Sequence, residues 1–413
     1  MDAALFHEVV SKPERESERS HFPQGFPDPI DVPAARYSDP EFYDLEQVHV
    51  FSKSWQFVAC TDQIPKKGDY RLLDVLTKPL FLIRGDDEVV RCFYNTCQHR
   101  GSALLTEPAG NAGTLVCPFH AWTYGREGEL RGYPEAKNYP RNADKDCLHL
   151  KSVRCETFGT LIFINLDQNA CPLREFLGPV AEELDTLIGD KSQGVHFFST
   201  NVTWVDANWK HANDANIETY HVPFLHKETA HPGIDSERTG QWLLPHGHSR
   251  MMIKFRPEVA KIVAEQATAF PKFSGLESNA LSMEGVYSFH LFPNTSIVMT
   301  GPSLFFVISA VPHRPNRFAY VTTFLGAAEP NGAWHDVLSA LVDTNLTVLG
   351  EDLAVMTSQQ RSIDCGALDV LKLQYQERRI RKLHEDIDRW IGVENVPDNL
   401  RVPPRLDEYV EPS

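Results

Sequence analysis

The chain has 413 residues, of which 42% are hydrophobic and 23% charged, and its formal net charge is -16 at pH 7. This composition predicts a globular protein of two or three domains and excludes a disordered or fibrous chain. The acidic balance argues against a nucleic-acid partner, because neutralising phosphates requires clustered Lys and Arg. No apolar run reaches the roughly 20 residues of a membrane-spanning helix, and the first residues do not resemble a signal peptide, so we expect no membrane contact and a cytoplasmic location.

The residue pattern changes along the chain. Before about residue 45 the sequence is rich in Pro and charge, which predicts an irregular arm packed on a larger body. Beyond it, up to about residue 165, short apolar runs such as Leu80–Ile83 and Leu161–Ile164 alternate with turn signals. This alternation predicts a small domain of antiparallel strands.

Residues 166–413 combine longer strands with helices, which predicts an α+β domain with an antiparallel sheet. Strands are expected at Phe197–Val205, Gly285–Phe292, Ser296–Thr300, Leu304–Pro312 and Arg317–Leu325. Helices are expected at Leu173–Ile188, at Trp334–Arg361 with an apolar stripe, and at Gln376–Trp390 as a charged surface helix.

The first cluster of metal-binding residue types is a Cys-x-His pair followed by a Cys-x-x-His pair. Its members are Cys97, His99, Cys117 and His120. Two thiolates and two imidazoles can hold a tetrahedral zinc ion or a [2Fe–2S] cluster of Rieske type. Gly101, which lets backbone amides approach the sulfides, and Trp122, which excludes water, favour the cluster.

The second cluster contains His221 and His226. On one straight helix these side chains would point about 140° apart, but Pro223 is expected to break the helix so that the second histidine folds back beside the first. Glu218 and Asp214 precede His221 by three and seven residues, which would place them on the same helical face.

Asp352 is the candidate third ligand, because it lies in the apolar stripe of the helix expected at Trp334–Arg361. A buried acid is costly unless it is paired or binds a metal, whereas the neighbouring Glu351 is expected in solvent. Two His and one carboxylate form the facial triad of non-haem Fe(II) oxygenases. Taken alone, these residues are equally compatible with structural histidines bonded to a core acid.

From about Ser54 to Gln360 the chain resembles the Rieske-type non-haem iron oxygenases, specifically the α (oxygenase) subunit of the aromatic-ring-hydroxylating family. The motifs that carry the resemblance are the two Cys/His pairs, Asn208-Trp209-Lys210, Tyr220-His221, His226 and Glu351-Asp352. The resemblance implies a small antiparallel β Rieske [2Fe–2S] domain inserted in a larger helix-grip catalytic domain. The corresponding division is an N-terminal arm over residues 1–45, the Rieske domain over 46–165 and the mononuclear iron domain over 166–413.

The resemblance also implies roles for the candidate residues. Cys97 and Cys117 would bind one iron of the cluster, and His99 and His120 the other. His221, His226 and Asp352 would bind a mononuclear Fe(II). Glu218, which would act in catalysis together with Asp214, matches the carboxylate that bridges to a cluster His of the adjacent subunit, which implies a head-to-tail homotrimer, with or without a small β subunit.

The expected function is that of the terminal component of a multicomponent oxygenase, which uses O₂ to hydroxylate an aromatic compound in catabolism. Electrons from NAD(P)H would arrive through a separate reductase, with or without a ferredoxin, because the chain lacks a Gly-x-Gly-x-x-Gly motif. The candidate pocket residues are Phe224, Phe289, Phe292 and Phe305. Aromatic rings would also suit a quaternary ammonium compound, so a monooxygenase that hydroxylates or N-demethylates such a substrate is the alternative.

Two other classes of protein are weighed against the oxygenase. A Rieske-type electron-transfer protein would not need the second half of the chain or the second cluster of His and Asp. Measuring iron and sulfide would distinguish a zinc-stabilised scaffold from both of the other classes, because such a scaffold contains neither.

Overall fold

The computed structural model describes residues 3–28, 31–139, 146–188, 195–266, 271 and 276–411. The chain forms two compact units, a smaller one over Ser52–Leu173 and a larger one made of Met1–Phe51 and Arg174–Ser413. The smaller unit is therefore an insertion in the larger. It begins at Ser52 and not at the expected residue 46, because residues 46–51 belong to the larger unit.

Helices and strands are numbered in chain order within the described residues. The helices are α1 (Ala3–Ser17), α2 (Pro40–Leu45), α3 (Leu173–Leu177), α4 (Pro179–Ile188), α5 (Trp209–Asn216), α6 (Val222–Leu225), α7 (Pro257–Gln266), α8 (Leu276–Glu284), α9 (Gly332–Asp364) and α10 (Arg378–Ile391). The strands up to residue 165 are β1 (Val32–Pro33), β2 (Gln56–Cys60), β3 (Asp69–Leu72), β4 (Leu80–Arg84), β5 (Val90–Tyr94), β6 (Ala109–Asn111), β7 (Leu115–Val116), β8 (Thr123–Tyr124), β9 (Leu130–Gly132), β10 (Ser152–Phe158) and β11 (Leu161–Asn165). The later strands are β12 (His196–Val205), β13 (Ile234–Leu243), β14 (Ser249–Phe255), β15 (Gly285–Leu291), β16 (Thr295–Met299), β17 (Leu304–Arg314), β18 (Arg317–Gly326) and β19 (Val370–Leu371).

The described residues of the smaller unit form two antiparallel sheets. One has the order β2-β11-β10-β5-β4-β3-β6 and the other the order β7-β8-β9. A hairpin turn at Gly85 joins β4 to β5, which pair from Leu80 opposite Tyr94 to Arg84 opposite Val90. The predicted small antiparallel domain is confirmed.

The larger unit is built on an antiparallel sheet of order β12-β18-β17-β16-β15-β14-β13. The buried side chains of α9, among them Leu349 and Met356, pack in one core with Phe306 and Tyr320 of the sheet. Side chains alternate between the two faces of a strand, so Phe306 and Tyr320 define the face that α9 covers. The predicted α+β class is confirmed.

The expectation of an irregular N-terminal arm is wrong, because α1 and α2 lie in it. Helix α1 packs along β13 of the sheet, and its Glu14 forms an ion pair with Arg238 of that strand. Asp39 caps α2 by accepting a hydrogen bond from the Phe42 backbone N–H at 2.8 Å, which satisfies a donor that the first turn of a helix leaves free.

The expected surface helix at Gln376–Trp390 is instead the buried helix α10. Its charged side chains are paired inside the protein: Arg381 bonds Glu385 one turn away, and Asp388 bonds Arg36 at 2.7 Å. Charges spaced four residues apart are as compatible with buried pairs as with a solvated face, which is why the sequence pattern was misleading. No helix in the described part of the chain has the length and apolar character of a bilayer span.

The buried ion pair between Lys210 and Glu46 generates a stability prediction. The two side chains are fully buried and 2.8 Å apart. Lys210→Met should lower the free energy of unfolding by about 3–5 kcal/mol, because it leaves the Glu46 carboxylate buried without its cation. Adding Glu46→Gln should recover part of that loss in urea denaturation. Equal stabilities of Lys210→Met and the unmodified protein would contradict the prediction.

Candidate metal centres

Two loops of the smaller unit carry the four predicted cluster ligands and share one backbone geometry. In the loop after β5, the Gly101 N–H donates to the Cys97 carbonyl and the Cys97 N–H to the Ser102 carbonyl. In the loop between β7 and β8, the Ala121 N–H donates to the Cys117 carbonyl and the Cys117 N–H to the Trp122 carbonyl.

Both loops turn through a residue with a left-handed backbone. Gly101 has φ +79° and Ala121 has φ +52°. Glycine adopts this conformation without strain, whereas the Cβ atom of alanine makes it unfavourable. The repeated turn presents Cys97 and Cys117, each only 2% exposed, from two loops in the same way.

The four side chains are arranged as two pairs. The Cys97 and Cys117 side chains are within hydrogen-bonding reach of each other, and the ring centroids of His99 and His120 are 4.8 Å apart. The His99 ring is stacked on Trp122 with an interplanar angle of 4°, which confines its orientation.

The chemistry of these groups fits a [2Fe–2S] cluster. The Nδ1 atoms of His99 and His120 are buried and accept or donate no hydrogen bond within the described residues. Although burial by itself acts against the thiolate, the backbone N–H groups of Phe119 and His120 help to bring the pKa of Cys117 below its usual value. Two free imidazole nitrogens and two cysteine sulfurs on paired loops are the donor set of a Rieske centre.

In the larger unit, His221, His226 and Asp352 form the second candidate centre. One ligand atom from each lies within 4.8 Å of the others. Asp352 Oδ1 is 3.5 Å from His221 Nε2 and 3.1 Å from His226 Nε2. The sequence therefore identified three residues that the fold brings together.

Each imidazole also forms a hydrogen bond through its Nδ1 atom to a second carboxylate. His221 Nδ1 bonds Glu218 Oε1, and His226 Nδ1 bonds Glu351 Oε2 at 2.7 Å. Because Nδ1 is the protonated donor in these bonds, each Nε2 presents a lone pair toward Asp352. Such carboxylate partners orient metal-binding imidazoles.

Glu351 corrects a sequence prediction, because it is not simply solvated. Its Oε2 accepts hydrogen bonds from His226 and from the Thr229 hydroxyl, the latter at 2.7 Å. The signal for this role was its position beside Asp352: the two neighbours on α9 contact opposite nitrogens of the same imidazole.

The electrostatics of this centre favour a cation. Burial disfavours both imidazolium ions, yet Glu218 and Asp352 raise the pKa of His221, and Asp352 and Glu351 raise the pKa of His226. Asp352 Oδ1 is buried and makes no hydrogen bond within the described part of the chain. Lone pairs that face one another across about 3 Å need a positive charge between them, either a proton or a metal ion.

The break that brings the two histidines together lies earlier than expected. Helix α5 ends at Asn216, so Glu218 reaches His221 through a turn and not along a helix. Pro223 occupies the first turn of the short helix α6, a position where proline needs no backbone donor. The prediction that Pro223 breaks a continuous helix is therefore wrong, although the close approach of the histidines is as expected.

The Asn208-Trp209-Lys210 motif anchors α5, and its hydrogen bonds within the described residues go to groups other than the ligands of the mononuclear centre. The Asn208 side chain caps the helix by accepting from the Lys210 N–H. Trp209 Nε1 and Lys210 Nζ both donate to the Glu46 carboxylate, at 3.0 and 2.8 Å. Gln360 Oε1 accepts from the Asn208 backbone N–H at 2.7 Å, which ties α5 to α9.

Asp214 lies at the end of a hydrogen-bonded chain. Arg36 Nε donates to His384 Nδ1 at 3.0 Å, so the proton of the neutral His384 ring is on Nε2, which is 2.9 Å from the Tyr37 hydroxyl. Tyr37 in turn donates to Asp214 Oδ2 at 2.5 Å. Burial raises the pKa of Asp214 to about 7, so this carboxyl exchanges a proton near neutral pH. Sequence reasoning missed Tyr37 and His384, which are distant in the chain and carry no motif.

The predicted pocket phenylalanines lie in different places. Phe224 is 73% exposed. Phe289 of β15 and Val307 of β17 both lie opposite Ile297 of β16, so they are on the same face of the sheet. Phe305 is two residues from Val307 and points to that face as well. Phe306 points to the other face, which α9 covers. Only Phe292 packs in the core that α9 covers. The alternation of the strands thus places Phe289 and Phe305 away from the Asp352 side and Phe306 toward it.

Comparison with known families agrees with this geometry. Residues 54–154 match the model of the Rieske [2Fe-2S] domain, and residues 183–393 match that of the ring hydroxylating alpha subunit catalytic domain. The chain belongs to the family of Rieske oxygenase α subunits, and it is an oxidoreductase of that type.

Among characterised relatives, the 2-aminobenzenesulfonate 2,3-dioxygenase α subunit of Alcaligenes sp is 34% identical over 68% of this chain and 70% of its own length. The carnitine monooxygenase oxygenase subunit of Escherichia coli is 32% identical over 57% of this chain, and the match spans 62% of that relative. A solved structure of naphthalene 1,2-dioxygenase from Rhodococcus sp. superposes with a TM-score of 0.74 at 21% identity, covering 96% of this chain and 100% of that one. This last similarity is one of fold.

The raised pKa of Asp214 predicts a pH-dependent effect of Asp214→Asn. Between the ordinary carboxyl pKa and about 7, the folded protein binds a proton that the unfolded chain releases, so the stabilising effect of that proton is lost as pH rises through 7. The uncharged amide of the variant avoids this loss. Asp214→Asn should therefore match the unmodified protein near pH 4, gain on it as the pH rises toward 7, and be more stable by about 1–3 kcal/mol at pH 8. Denaturant titrations at both pH values measure the difference, and a gain that is independent of pH would contradict the raised pKa.

Proposed function

We propose that this chain is the terminal oxygenase component of a multicomponent system that oxygenates a small organic substrate with O₂. Electrons from NAD(P)H would reach it through a separate reductase. The observation that carries the proposal is the meeting of His221, His226 and Asp352 in a chain that also holds a Rieske donor set. A ferredoxin-like carrier or a zinc scaffold has no use for the second centre.

The residues of the mononuclear centre each have a task in this proposal. A mononuclear iron, when bound, supplies the redox chemistry of O₂ activation. His221 and His226 would bind it through Nε2 and Asp352 through Oδ1. Glu218 and Glu351 hold the ring orientations that present those lone pairs, and Asp214 holds a proton that it can release near neutral pH.

The substrate is proposed to be an aromatic compound, in line with the dioxygenase relative that acts on 2-aminobenzenesulfonate. Phe292 and Phe306 supply apolar surface on the side of the sheet that α9 covers, where stacking with a ring is favourable. A quaternary ammonium substrate is the second candidate, and the carnitine monooxygenase relative favours it.

Removal of Asp352 tests the mononuclear centre. Asp352→Ala should lose one iron per chain and substrate-dependent O₂ uptake, while the visible and EPR spectra of the reduced cluster remain. The exposed Asp343 on the same helix provides the matched control, and Asp343→Ala should keep about three irons and two sulfides per chain. Full iron content and turnover in Asp352→Ala would remove Asp352 from the site.

We also propose a head-to-tail homotrimer in which Glu218 connects the mononuclear centre of one subunit to the cluster of its neighbour. Co-expression of His99→Ala, which lacks the cluster, with Asp352→Ala, which lacks the iron, should then restore turnover in mixed trimers, although each variant alone is inactive. Introducing Glu218→Gln into the subunit that keeps its iron should lower the restored rate at least tenfold. Mixed trimers without activity would show that electrons do not cross between chains.

A further inference from the structure

The larger unit buries a set of Lys and Arg side chains. In the described part of the chain these are Arg36, Lys210, Arg250, Lys254, Arg378, Arg379, Arg381 and Lys382. Each of them except Arg379 forms an ion pair with an Asp or Glu. A buried cation without a counter-ion is strongly disfavoured, so Arg379 is the exception that requires a reason.

The contacts of Arg379 are with neutral acceptors. Nε donates to the Ser249 hydroxyl at 2.9 Å, and Nη1 donates to the Ile217 carbonyl at 3.1 Å. Burial and the neighbouring Arg378 lower its pKa to about 9, which still leaves a guanidinium cation at neutral pH. Arg379 is therefore a buried positive charge. Its Nε and Nη1 groups have acceptors, but no carboxylate is paired with it within the described residues.

Polar atoms without partners lie on the sheet face that Arg379 contacts. Ser249 is directly opposite His290 in the pairing of β14 with β15, and Ser288 is two residues from His290 on the same face. Ser288 Oγ and His290 Nε2 are buried and have no hydrogen-bond partner among the described residues, and Gln241 Oε1 on β13 is in the same state. Native proteins rarely leave such atoms unsatisfied, so these atoms also indicate a missing ligand.

This patch adjoins the segment that leads to the mononuclear centre. The Ile217 carbonyl that Arg379 contacts immediately precedes Glu218. The Thr219 hydroxyl donates to the Thr239 hydroxyl of β13 at 3.2 Å, and Gln241 is two residues further along the same strand face. A small molecule with one end at Arg379 would therefore have its other end close to the turn that carries His221.

We propose that Arg379, Ser288 and His290 form an anion subsite that holds a carboxylate or sulfonate group of the substrate. The guanidinium and the Ser288 hydroxyl can donate to the acid oxygens, and charge-assisted hydrogen bonds of this kind are the strong ones. His290 Nε2 can donate as well in the tautomer that protonates it. This inference rests on the proposed function in one respect, namely that the molecule held here is the one oxygenated at the mononuclear centre. Both 2-aminobenzenesulfonate and carnitine, named for the relatives, carry such an acid group.

Matched ligand pairs test the subsite on the purified full-length protein. Benzoate is paired with benzamide, benzenesulfonate with benzenesulfonamide, and carnitine with choline, which lacks the carboxylate. At constant ionic strength, at least one acid should bind at least tenfold more tightly than its partner in calorimetry and raise the melting temperature. The pair that responds distinguishes a carboxylate from a sulfonate ligand. Equal binding within every pair, or no binding of any acid, would overturn the subsite.

Variants then assign the effect to Arg379. Arg379→Met should lose the preference for the acid, and Arg379→Lys should keep part of the preference. The control is Arg381→Met on the same helix, whose partner Glu385 is left unpaired. That control should be less stable but should bind the acid with unchanged affinity. An undiminished preference in Arg379→Met would overturn the proposal.

Two further variants cover the case in which Arg379→Met does not fold. Ser288→Ala and His290→Gln should each weaken acid binding several-fold and leave the neutral partner unaffected, and no change in either would overturn the subsite. Iron and sulfide are measured on the same samples. Protein that contains both centres but prefers no acid overturns the subsite alone, whereas protein that prefers the acid but lacks the metal sites overturns the oxygenase proposal alone.

Discussion

Asp352 is a carboxylate on the buried side of the long helix α9. The positions of the residues around it depend on which groups balance its negative charge. Its Oδ1 faces the Nε2 atoms of His221 and His226 at 3.5 and 3.1 Å. Both rings use Nδ1 to donate to Glu218 and Glu351. The two Nε2 lone pairs and the Asp352 Oδ1 atom are all hydrogen-bond acceptors, and they face one another at the centre of this group. A cation among them is therefore required for the arrangement to be stable.

Holding that group together requires a rigid frame, because a turn and not a helix carries the first histidine. The frame is α5, whose first turn is fixed by the buried Lys210 and Glu46 pair and by the hydrogen bond between Gln360 and the Asn208 backbone. Since Gln360 lies on α9, two turns beyond Asp352, the same helix supplies one candidate ligand and positions the segment that supplies the other two. Motif residues that touch no centre thus serve to set its geometry.

The parts of this arrangement that could be predicted from sequence are those with local signals. Periodicity revealed α9 and the buried position of Asp352, and short spacings revealed both Cys/His loops. The partners of Asp214 could not be predicted in this way, because Tyr37 and His384 reach it from segments far apart in the chain. The burial of α10 was equally inaccessible: Arg36, the partner of its Asp388, lies in the N-terminal segment, and neither segment alone shows that the other is near.

The same reasoning explains why the phenylalanines were poor indicators of a substrate site. Strand β17 is buried on both faces over Leu304–Pro312, so Phe305 and Phe306 look alike in sequence while they point to opposite faces. Polar atoms are more informative because burial makes them costly when they lack partners. The free Nδ1 atoms of His99 and His120 and the free Oδ1 of Asp352, in the part of the chain that the structure describes, mark places where lone pairs need a metal. Arg379 is the opposite case: it is a buried cation that forms no ion pair within the described residues, and in an enzyme that acts on small molecules the substrate is the natural source of the anion that we propose for it.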